Sequence, residues 1–383
     1  MTSLGGDDEP YLLMTPGPTR VPERVRRAGA RAMLHHRSAE FSAELAVMLE
    51  LLRPIFGTRG LVIPVHTTGR GALEASLCNL LSPGDAVICC CNGAFGDMWA
   101  RVAESYGIVV HRIVNDWTRD VDVSEVAARL DADRSIRAVL VAYSDTSTGV
   151  RNDVEAIARA TDPRDVLLFV DGVSALGGMP FAFDAWGVDV AVTASQKCLT
   201  SSPGLAFAAL SARAWSATES ARLPRNYWDF RPVREALSRP KPETAGTTPV
   251  HLVLQVVESL RMIEEEGLDP VIRRHETNAR AVRQGLARLG IALQCPDLRA
   301  FSSTVTVATL PEGLSPKVVR DGLKARGIMT AAGMGRFEPS GFRIGHMGDI
   351  RIADVERTLT ALAETLDTIR ETPVVQTTAS ARR

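Results

Sequence analysis

The sequence predicts an α/β fold with a mostly parallel central sheet in a large domain and a smaller C-terminal α+β domain. Short apolar runs alternate with amphipathic stretches as far as Leu210, which is typical of a parallel sheet covered by helices on both faces. After Leu210 the rhythm changes to long helical patterns. The length of 383 residues is sufficient for two packed domains.

Seven runs dominated by apolar residues predict the strands of the large domain. These runs are 61–65, 86–91, 108–113, 138–143, 166–170, 188–194 and 205–210. Amphipathic spacing between several of them predicts the helices of this domain. The helices are expected at 71–81, 95–106, 123–130 and 154–160.

The second half of the chain has a different pattern. Residues 222–248 are rich in Pro, Arg and aromatic residues and predict an irregular segment. Two long helices are expected at 250–267 and 270–289, with Gly267 ending the first. Residues 291–366 give the order strand, strand, helix, strand, helix, as expected of a small α+β domain.

Composition argues against several functional classes. The chain has 44 Lys plus Arg and 45 Asp plus Glu, so its net charge of −1 provides no field that would hold nucleic acid or an anionic membrane surface. No apolar run approaches the roughly 18 residues of a membrane span. Residues 1–10 lack the basic and then apolar pattern of a secretory signal, so a cytoplasmic location is expected.

The six cysteines are expected to be buried thiols. Cys89, Cys90 and Cys91 are adjacent within a predicted strand, and the chain has no C-x-x-C spacing of a metal or redox site. We therefore expect neither disulfides nor a metal centre.

The first predicted strand leads into residues 66–71, which read HTTGRG and open a helix. Glycines and a threonine at a helix N-terminus present free N–H groups to an anion such as phosphate, although the same residues can simply cap the helix. Nucleotide motifs fit poorly, because Glu74 occupies the third glycine position of G-x-G-x-x-G and no P-loop motif occurs. A serine-hydrolase elbow after Asp171 fails because Leu176 replaces the second glycine of G-x-S-x-G.

Two further strand ends carry ionisable residues. Asp171 directly follows the strand at 166–170, and a buried carboxylate there needs a cationic or N–H partner. Lys197 follows the strand at 188–194. It is the only lysine after a mainly apolar strand among the four of the chain, Lys197, Lys241, Lys317 and Lys324. An amine among apolar neighbours has a lowered pKa and reacts with carbonyls, whereas a structural lysine would extend into solvent.

An anion-binding turn, an acid at one strand end and a lysine at another are the groups that pyridoxal 5'-phosphate requires. The helix terminus would bind its phosphate, the carboxylate would pair with its ring nitrogen and the lysine would form a Schiff base with its aldehyde. Ligands of open parallel sheets bind beyond the carboxyl ends of the strands, where all three groups are predicted. The residues therefore predict a pyridoxal phosphate site.

Three motifs of this chain are DGVSALGG at 171–178, SQK at 195–197 and FRIGHMG at 342–348. Together they resemble those of class V aminotransferases, in particular the alanine/serine–glyoxylate branch. The similarity extends over about residues 11–366 and includes TPGPT at 15–19. The resemblance implies a fold-type I, pyridoxal phosphate-dependent transaminase. Such an enzyme moves an amino group from a small amino acid, such as alanine or serine, to a 2-oxo acid such as glyoxylate or pyruvate.

The resemblance also implies roles for single residues. Lys197 would be the catalytic Schiff-base lysine, Asp171 the partner of the ring nitrogen and Arg343 the residue that binds the substrate carboxylate. The other implied cofactor contacts are Thr68, Gly69, Arg70 and Gln196 at the phosphate, Phe95 on the ring, Thr146 near the phenolic oxygen, and Thr247 reaching the phosphate from the other subunit. Gly17, in the N-terminal motif, is expected beside the substrate.

A homodimer with shared active sites follows from the same resemblance. The expected divisions of the chain are an N-terminal segment near the active site at 1–20, a large cofactor-binding domain at 21–268, a small domain at 269–370 and a disordered tail at 371–383.

Three positions depart from the family pattern. Residues 143–145 read YSD where relatives often have His-x-Glu, and Thr244 stands where a Tyr is common. Arg70 replaces a small residue or His. Its side chain has three roles open to it: pairing with Asp145 or Glu74, bracing the phosphate, or binding a second anionic group of the substrate.

Alternative activities remain within the same fold. A phosphonate or a ureidoglycine-type compound could be the amino donor. A desulfurase or lyase would need a mobile catalytic cysteine near the small domain, where Cys295 is the only candidate. A cofactor-binding regulator of transcription would need a basic DNA-binding module, and no segment is left over to supply one.

Overall fold

The computed structural model describes residues 10–371. The predicted tail therefore lies outside the described residues, except for Glu371. Within the described part, no helix combines the length and apolar character needed to cross a membrane.

The centre of the molecule is a seven-stranded sheet, which we call the large sheet. Its strands, in spatial order, are β2 (Val62–Val65), β10 (Ala206–Leu210), β9 (Val190–Ala194), β8 (Leu167–Asp171), β5 (Ile136–Ala142), β3 (Ala86–Cys91) and β4 (Val109–Val114). Strand β10 runs antiparallel to both of its neighbours, and the other pairings in this sheet are parallel. The predicted mostly parallel sheet is therefore confirmed, and each of its strands lies within two residues of the predicted bounds.

Helices on both faces bury this sheet. The four predicted between strands are α3 (Gly69–Leu80), α4 (Ala94–Ser105), α5 (Val123–Ala132) and α6 (Val154–Thr161). The short helices α7 (Phe183–Trp186) and α8 (Ala212–Ala217) complete this layer. Most strand residues of the sheet are buried, so their runs are apolar rather than alternating.

Two N-terminal helices were not predicted from the sequence, α1 (Glu23–Gly29) and α2 (Ala39–Phe56). The signals for α2 are nevertheless present in the sequence. The Ser38 side chain accepts a hydrogen bond from Phe41 N, and Gly57 ends the helix in the left-handed conformation at φ 64°.

The segment predicted to be irregular contains a helix, so that prediction is wrong for α9 (Phe230–Leu237). The Asp229 carboxylate caps this helix by accepting a hydrogen bond from Arg231 N. Pro232 lies in the first turn, where its missing N–H breaks no hydrogen bond within the helix. Because proline usually interrupts helices, its presence argued against a helix in the sequence pattern.

The C-terminal part begins with the two predicted long helices, α10 (Val250–Glu266) and α11 (Leu268–Arg288). It continues as an antiparallel four-stranded sheet, which we call the small sheet. Its strands, in spatial order, are β11 (Ala292–Leu293), β12 (Val305–Thr309), β15 (Gly341–Gly345) and β14 (Ala331–Ala332). Helices α12 (Pro316–Ala325) and α13 (Ile352–Glu371) pack with α11 around a second apolar cluster.

Two short pairings connect these parts. Strand β1 (Leu12–Leu13) pairs in parallel with β13 (Ile328–Met329), which attaches the N-terminal segment to the C-terminal part. A small hairpin of β6 (Ser144–Asp145) and β7 (Val150–Arg151) follows β5.

Candidate active site

Three groups singled out in the sequence meet at one edge of the large sheet. Asp171 is the last residue of β8, and Lys197 follows the neighbouring strand β9. The turn after β2, which contains Gly69, lies beside them. A Cβ placed on Gly69 would be 2.5 Å from a methyl group of Val173, two residues after Asp171. The carboxyl ends of these strands therefore bring together an amine, a carboxylate and a helix N-terminus.

Lys197 is held from several sides. Its Nζ donates a hydrogen bond to the carbonyl of Pro16, and the Thr19 hydroxyl donates to the Lys197 carbonyl over 3.1 Å. Burial lowers the pKa of the Lys197 amine to about 8, although nearby Cys198 and Asp171 act in the opposite direction. A substantial fraction of this amine is therefore neutral near physiological pH, as a nucleophile toward carbonyls must be.

Asp171 is buried and has few partners. Its Oδ1 accepts a hydrogen bond from Val173 N over 2.9 Å. Burial raises the pKa of Asp171 to about 6, and the proximity of Asp145 raises it further, while Lys197 lowers it. The described ion pairs do not join Asp171 to Lys197, so the carboxylate is left to stabilise a cationic N–H group of a ligand.

The start of α3 forms a cradle for an anion. Thr68 is its N-cap, but the Thr68 side chain makes no capping hydrogen bond and is exposed. The first N–H groups of a helix have no acceptor within the helix. A Cβ on Gly71 would lie 2.0 Å from the Thr67 hydroxyl, so glycine keeps this turn tight. Together with the free N–H groups, this shape suits a phosphate.

Gln196 supplies a second polar contact beside Lys197. Its side-chain oxygen is buried and has no hydrogen-bond partner within the described chain. Unsatisfied buried polar atoms are uncommon and call for a ligand or water. The residues at this edge therefore fit a phosphorylated ligand with a ring nitrogen and an aldehyde.

Asp145 organises the neighbouring turn, a role that the sequence analysis did not recognise. This carboxylate is fully buried, and burial raises its pKa. It accepts hydrogen bonds from Ser147 N over 2.9 Å and from Phe95 N over 3.0 Å. Phe95 is thereby fixed at the start of α4, while the Thr146 hydroxyl pairs with that of Ser174, three residues after Asp171.

Arg343 reaches the site from β15 of the small sheet. Its Nε donates to the carbonyl of Ala332 over 2.7 Å, and its Nη1 donates to the carbonyl of Thr146 over 3.4 Å. These described hydrogen bonds use carbonyl oxygens, and no acidic side chain of residues 10–371 forms an ion pair with Arg343. The guanidinium is half-buried, so burial lowers its pKa, and it is suited to bind a carboxylate.

Gly17 lies against Lys197, which brings the N-terminal segment to the same edge. Its φ is +111°, and a Cβ at this position would be 2.6 Å from Lys197 Nζ. A side chain there would fill the space around the amine.

Two predicted site residues, Thr247 and Arg70, are exposed to solvent in the described chain. Thr247 lines a cavity of about 390 Å³ together with His66, Tyr227 and Trp228. None of the described hydrogen bonds or ion pairs joins Arg70 to Glu74 or Asp145: Tyr106 donates to Glu74, and the buried Asp145 accepts from Phe95 N.

All six cysteines are buried and free, as predicted. Cys295 is 3% exposed, and burial raises the pKa of its thiol to about 11. A buried, protonated thiol does not suit the mobile nucleophile of a desulfurase.

Comparison with known proteins gives a consistent family match. The model of the family described as aminotransferase class-V matches residues 18–355. An L-aspartate–glyoxylate aminotransferase of Paracoccus denitrificans is 36% identical over 88% of this chain and 86% of its own. A soluble hydrogenase small subunit of Synechococcus sp. is also 36% identical, over 93% and 92%. The crystal structure of an alanine–glyoxylate aminotransferase from Nostoc sp. has a TM-score of 0.89 and 29% identity, covering 96% of this chain and 97% of that one.

Proposed function

The chain belongs to the class V aminotransferase family and is a transaminase, and on this premise we propose that it uses pyridoxal 5'-phosphate to move an amino group from a small amino acid to glyoxylate or a similar 2-oxo acid. The observation that carries the proposal is Lys197, an amine with a lowered pKa at the same sheet edge as Asp171 and the open N-terminus of α3. Glyoxylate is supported by the names of the Paracoccus and Nostoc relatives.

The same residues would hold the cofactor. The N–H groups of Gly69 and Arg70, the Thr68 hydroxyl and the Gln196 side chain would bind its phosphate, and Asp171 would pair with its ring nitrogen. Phe95 would lie on the ring, with Thr146 near the phenolic oxygen. When bound, pyridoxal phosphate supplies an aldehyde that condenses with amines and a ring that accepts electrons from a bond broken at the substrate Cα.

The chain's own groups would then handle the substrate. Arg343 would bind the carboxylate in a bidentate arrangement and so orient Cα. Lys197 Nζ, largely neutral above about pH 8, would accept a proton from the substrate Cα and deliver it to the carbon of the cofactor's aldehyde group. The Pro16 carbonyl keeps this amine in place, and Gly17 leaves space beside it for a small amino acid.

We also propose the two-domain division at residue 268, a homodimer and a cytoplasmic location. The dimer is supported by Thr247, which is exposed, and by apolar side chains on the surface, with Tyr227 72% and Met33 67% exposed. The cytoplasmic location rests on the amino-acid sequence alone. Hydrogenase chemistry, named for the Synechococcus relative, gains no support from the residues at this sheet edge and is not proposed.

A labelling experiment tests the assignment of Lys197. Borohydride reduction of the cofactor-loaded protein, followed by digestion and mass spectrometry, should place a pyridoxyl group on Lys197. Lys197→Ala should lose this label and all turnover, because no other lysine among residues 10–371 lies at this sheet edge. Lys317→Ala is the matched control, since Lys317 is exposed and pairs with Asp321, and it should keep both. A label on Lys241, Lys317 or Lys324 would contradict the proposal.

The substrates need a separate assay. Purified protein should be combined with a panel of amino donors and 2-oxo acid acceptors, and the absorbance change between the aldehyde and amine forms of the cofactor should be followed. Conversion by alanine, serine or aspartate, reversed by glyoxylate, is the expected result. Absence of conversion with every amino acid would contradict a transaminase for small amino acids.

A further inference from the structure

A tryptophan in the loop after β4 has an unfavourable backbone conformation. Trp117 has a φ of 69°, which is uncommon for a bulky residue. Within the loop, Asn115 Oδ1 accepts from Trp117 N over 2.8 Å. Asn92, which directly follows β3, attaches the loop to the large sheet, because its Nδ2 donates to the Arg119 carbonyl over 3.2 Å. A strained conformation of this kind persists where the surroundings enforce it, and such positions cluster at functional sites.

The Trp117 side chain contacts the loop that joins β14 to β15. Trp117 is 5% exposed, and its ring lies edge-on to Phe337 with 6.1 Å between centroids. The Arg336 guanidinium stacks over the Trp117 ring at 4.9 Å and donates to the Asn115 carbonyl over 3.3 Å. A Cβ on Gly335 would lie 2.8 Å from the indole. Trp117 therefore attaches the tip of this loop to the large sheet.

The same loop determines where Arg343 lies. In the register of β14 and β15, Ala331 is opposite Arg343, and the Arg343 Nε donates to the carbonyl of Ala332. Strand β14 has only two residues, and Gly333 N closes the loop by donating to the Gly341 carbonyl over 3.1 Å. A shift of the loop tip would move the carbonyl that fixes the Arg343 guanidinium.

We propose that Trp117 is a positioning residue for substrate binding: it holds the β14–β15 loop against the large sheet and so orients Arg343 toward the substrate carboxylate. The inference rests on the proposed function, because it requires Arg343 to bind that carboxylate. Trp117 itself does not touch the substrate. Its effect should therefore appear in the binding of carboxylates and not in retention of the cofactor.

The first test is kinetic and uses the holoenzyme. Trp117→Ala should raise the KM for alanine about tenfold while kcat changes less than about twofold, with cofactor absorbance unaltered. Arg336→Ala, at an exposed position that tolerates substitution, should shift the KM in the same direction by about threefold. Trp117→Phe, which keeps a ring against Gly335, should restore most of the affinity. Trp215→Ala is the matched control, because Arg234 stacks over Trp215 at 4.5 Å in another part of the molecule.

The second test is a double-mutant cycle on the binding of glycolate, a carboxylate with neither an amino nor a keto group, measured by its effect on cofactor absorbance. Arg343→Ala should weaken glycolate binding, and adding Trp117→Ala should cause no further loss. The positioning role would be overturned if Trp117→Ala weakened glycolate binding equally in the presence and in the absence of Arg343. It would also be overturned if Arg343→Ala bound glycolate weakly while Trp117→Ala and Arg336→Ala both bound it normally. Normal binding by Arg343→Ala would instead contradict the carboxylate site in the proposed function, and the positioning role with it.

Discussion

At the scale of single residues, burial sets the ionisation of the two principal groups in opposite directions. It raises the pKa of Asp171 to about 6 and lowers that of Lys197 to about 8. Each shift favours the neutral form, because an ionised group loses hydration inside the protein. A cationic ring nitrogen beside Asp171 would favour its ionised form, whereas the neutral amine of Lys197 is the form that reacts. Burial therefore favours the reactive neutral form of Lys197, whereas Asp171 needs a cationic ligand to offset the cost of holding its ionised form inside the protein.

Arg70 gives a prediction at this scale, because its charge has no acidic partner in the described chain. We expect Arg70→Ala to lower kcat/KM for aspartate about tenfold relative to alanine, since a dicarboxylate donor would lose an ion pair and alanine would not. Arg59→Ala is the control, because Arg59 is 98% exposed and lies 3.9 Å from Asp184. Steady-state kinetics with both donors measure the effect. Weaker cofactor retention with an unchanged donor preference would place the side chain on the phosphate instead.

At the scale of elements, the sequence predicted those strands in which nearly every residue is buried. The strands of the large sheet could be predicted because each is an apolar run bounded by turn residues. Helix α9 could not, because Pro232 and the surrounding arginines obscure its one buried face. The role of Asp145 was equally hidden. Its contact with Ser147 is local, but its contact with Phe95 N, 50 residues earlier in the chain, forms only through the fold, so that no local spacing shows that Asp145 binds the start of α4.

The packing of α11 gives a prediction of pH dependence. His275 is fully buried, its Nδ1 pairs with the Val271 carbonyl over 2.8 Å, and its Nε2 accepts from Gly348 N over 3.0 Å. Both contacts are satisfied by a neutral ring, and burial lowers the pKa of His275 to about 4. In the unfolded chain histidine titrates near pH 6.5, so the unfolded state binds more protons between about pH 6.5 and 4. Its contribution to stability is complete above this window and is lost as the pH falls.

The free energy of unfolding, measured in urea, should therefore fall on acidification more steeply in the wild-type protein than in His275→Gln. Inside the window, the difference between the two slopes should reach up to about 1.4 kcal/mol per pH unit. The comparison with the variant is necessary because Asp171, with its raised pKa, changes stability in the opposite sense. Parallel pH profiles for the two proteins would show that His275 is not the cause.

At the scale of the whole molecule, the candidate site draws on both ends of the chain. The N-terminal segment contacts β15 through Gly345 N, which donates to the Met14 carbonyl over 2.8 Å, and then reaches Lys197 through Pro16. The sequence predicted this segment near the site only through a family resemblance, because residues 14–17, which contact β15 and Lys197, have no ionisable side chain. Thr247, the cofactor contact that the resemblance assigns to the other subunit, is exposed in one chain, which is the placement expected if a second chain completes the site.

A complementation experiment tests this arrangement. If each site combines Lys197 of one subunit with Thr247 of the other, Lys197→Ala and Thr247→Glu should each be inactive, the second because its carboxylate repels the cofactor phosphate. Refolding the two together should form hybrid dimers in which one site is intact and the other carries both changes. Random pairing makes half the dimers hybrid, so the mixture should recover about a quarter of wild-type activity. A mixture of Lys197→Ala with Asp171→Ala should stay inactive, because these residues lie at the same sheet edge of one chain. Activity absent from the first mixture, or present in the second, would contradict a site shared between subunits.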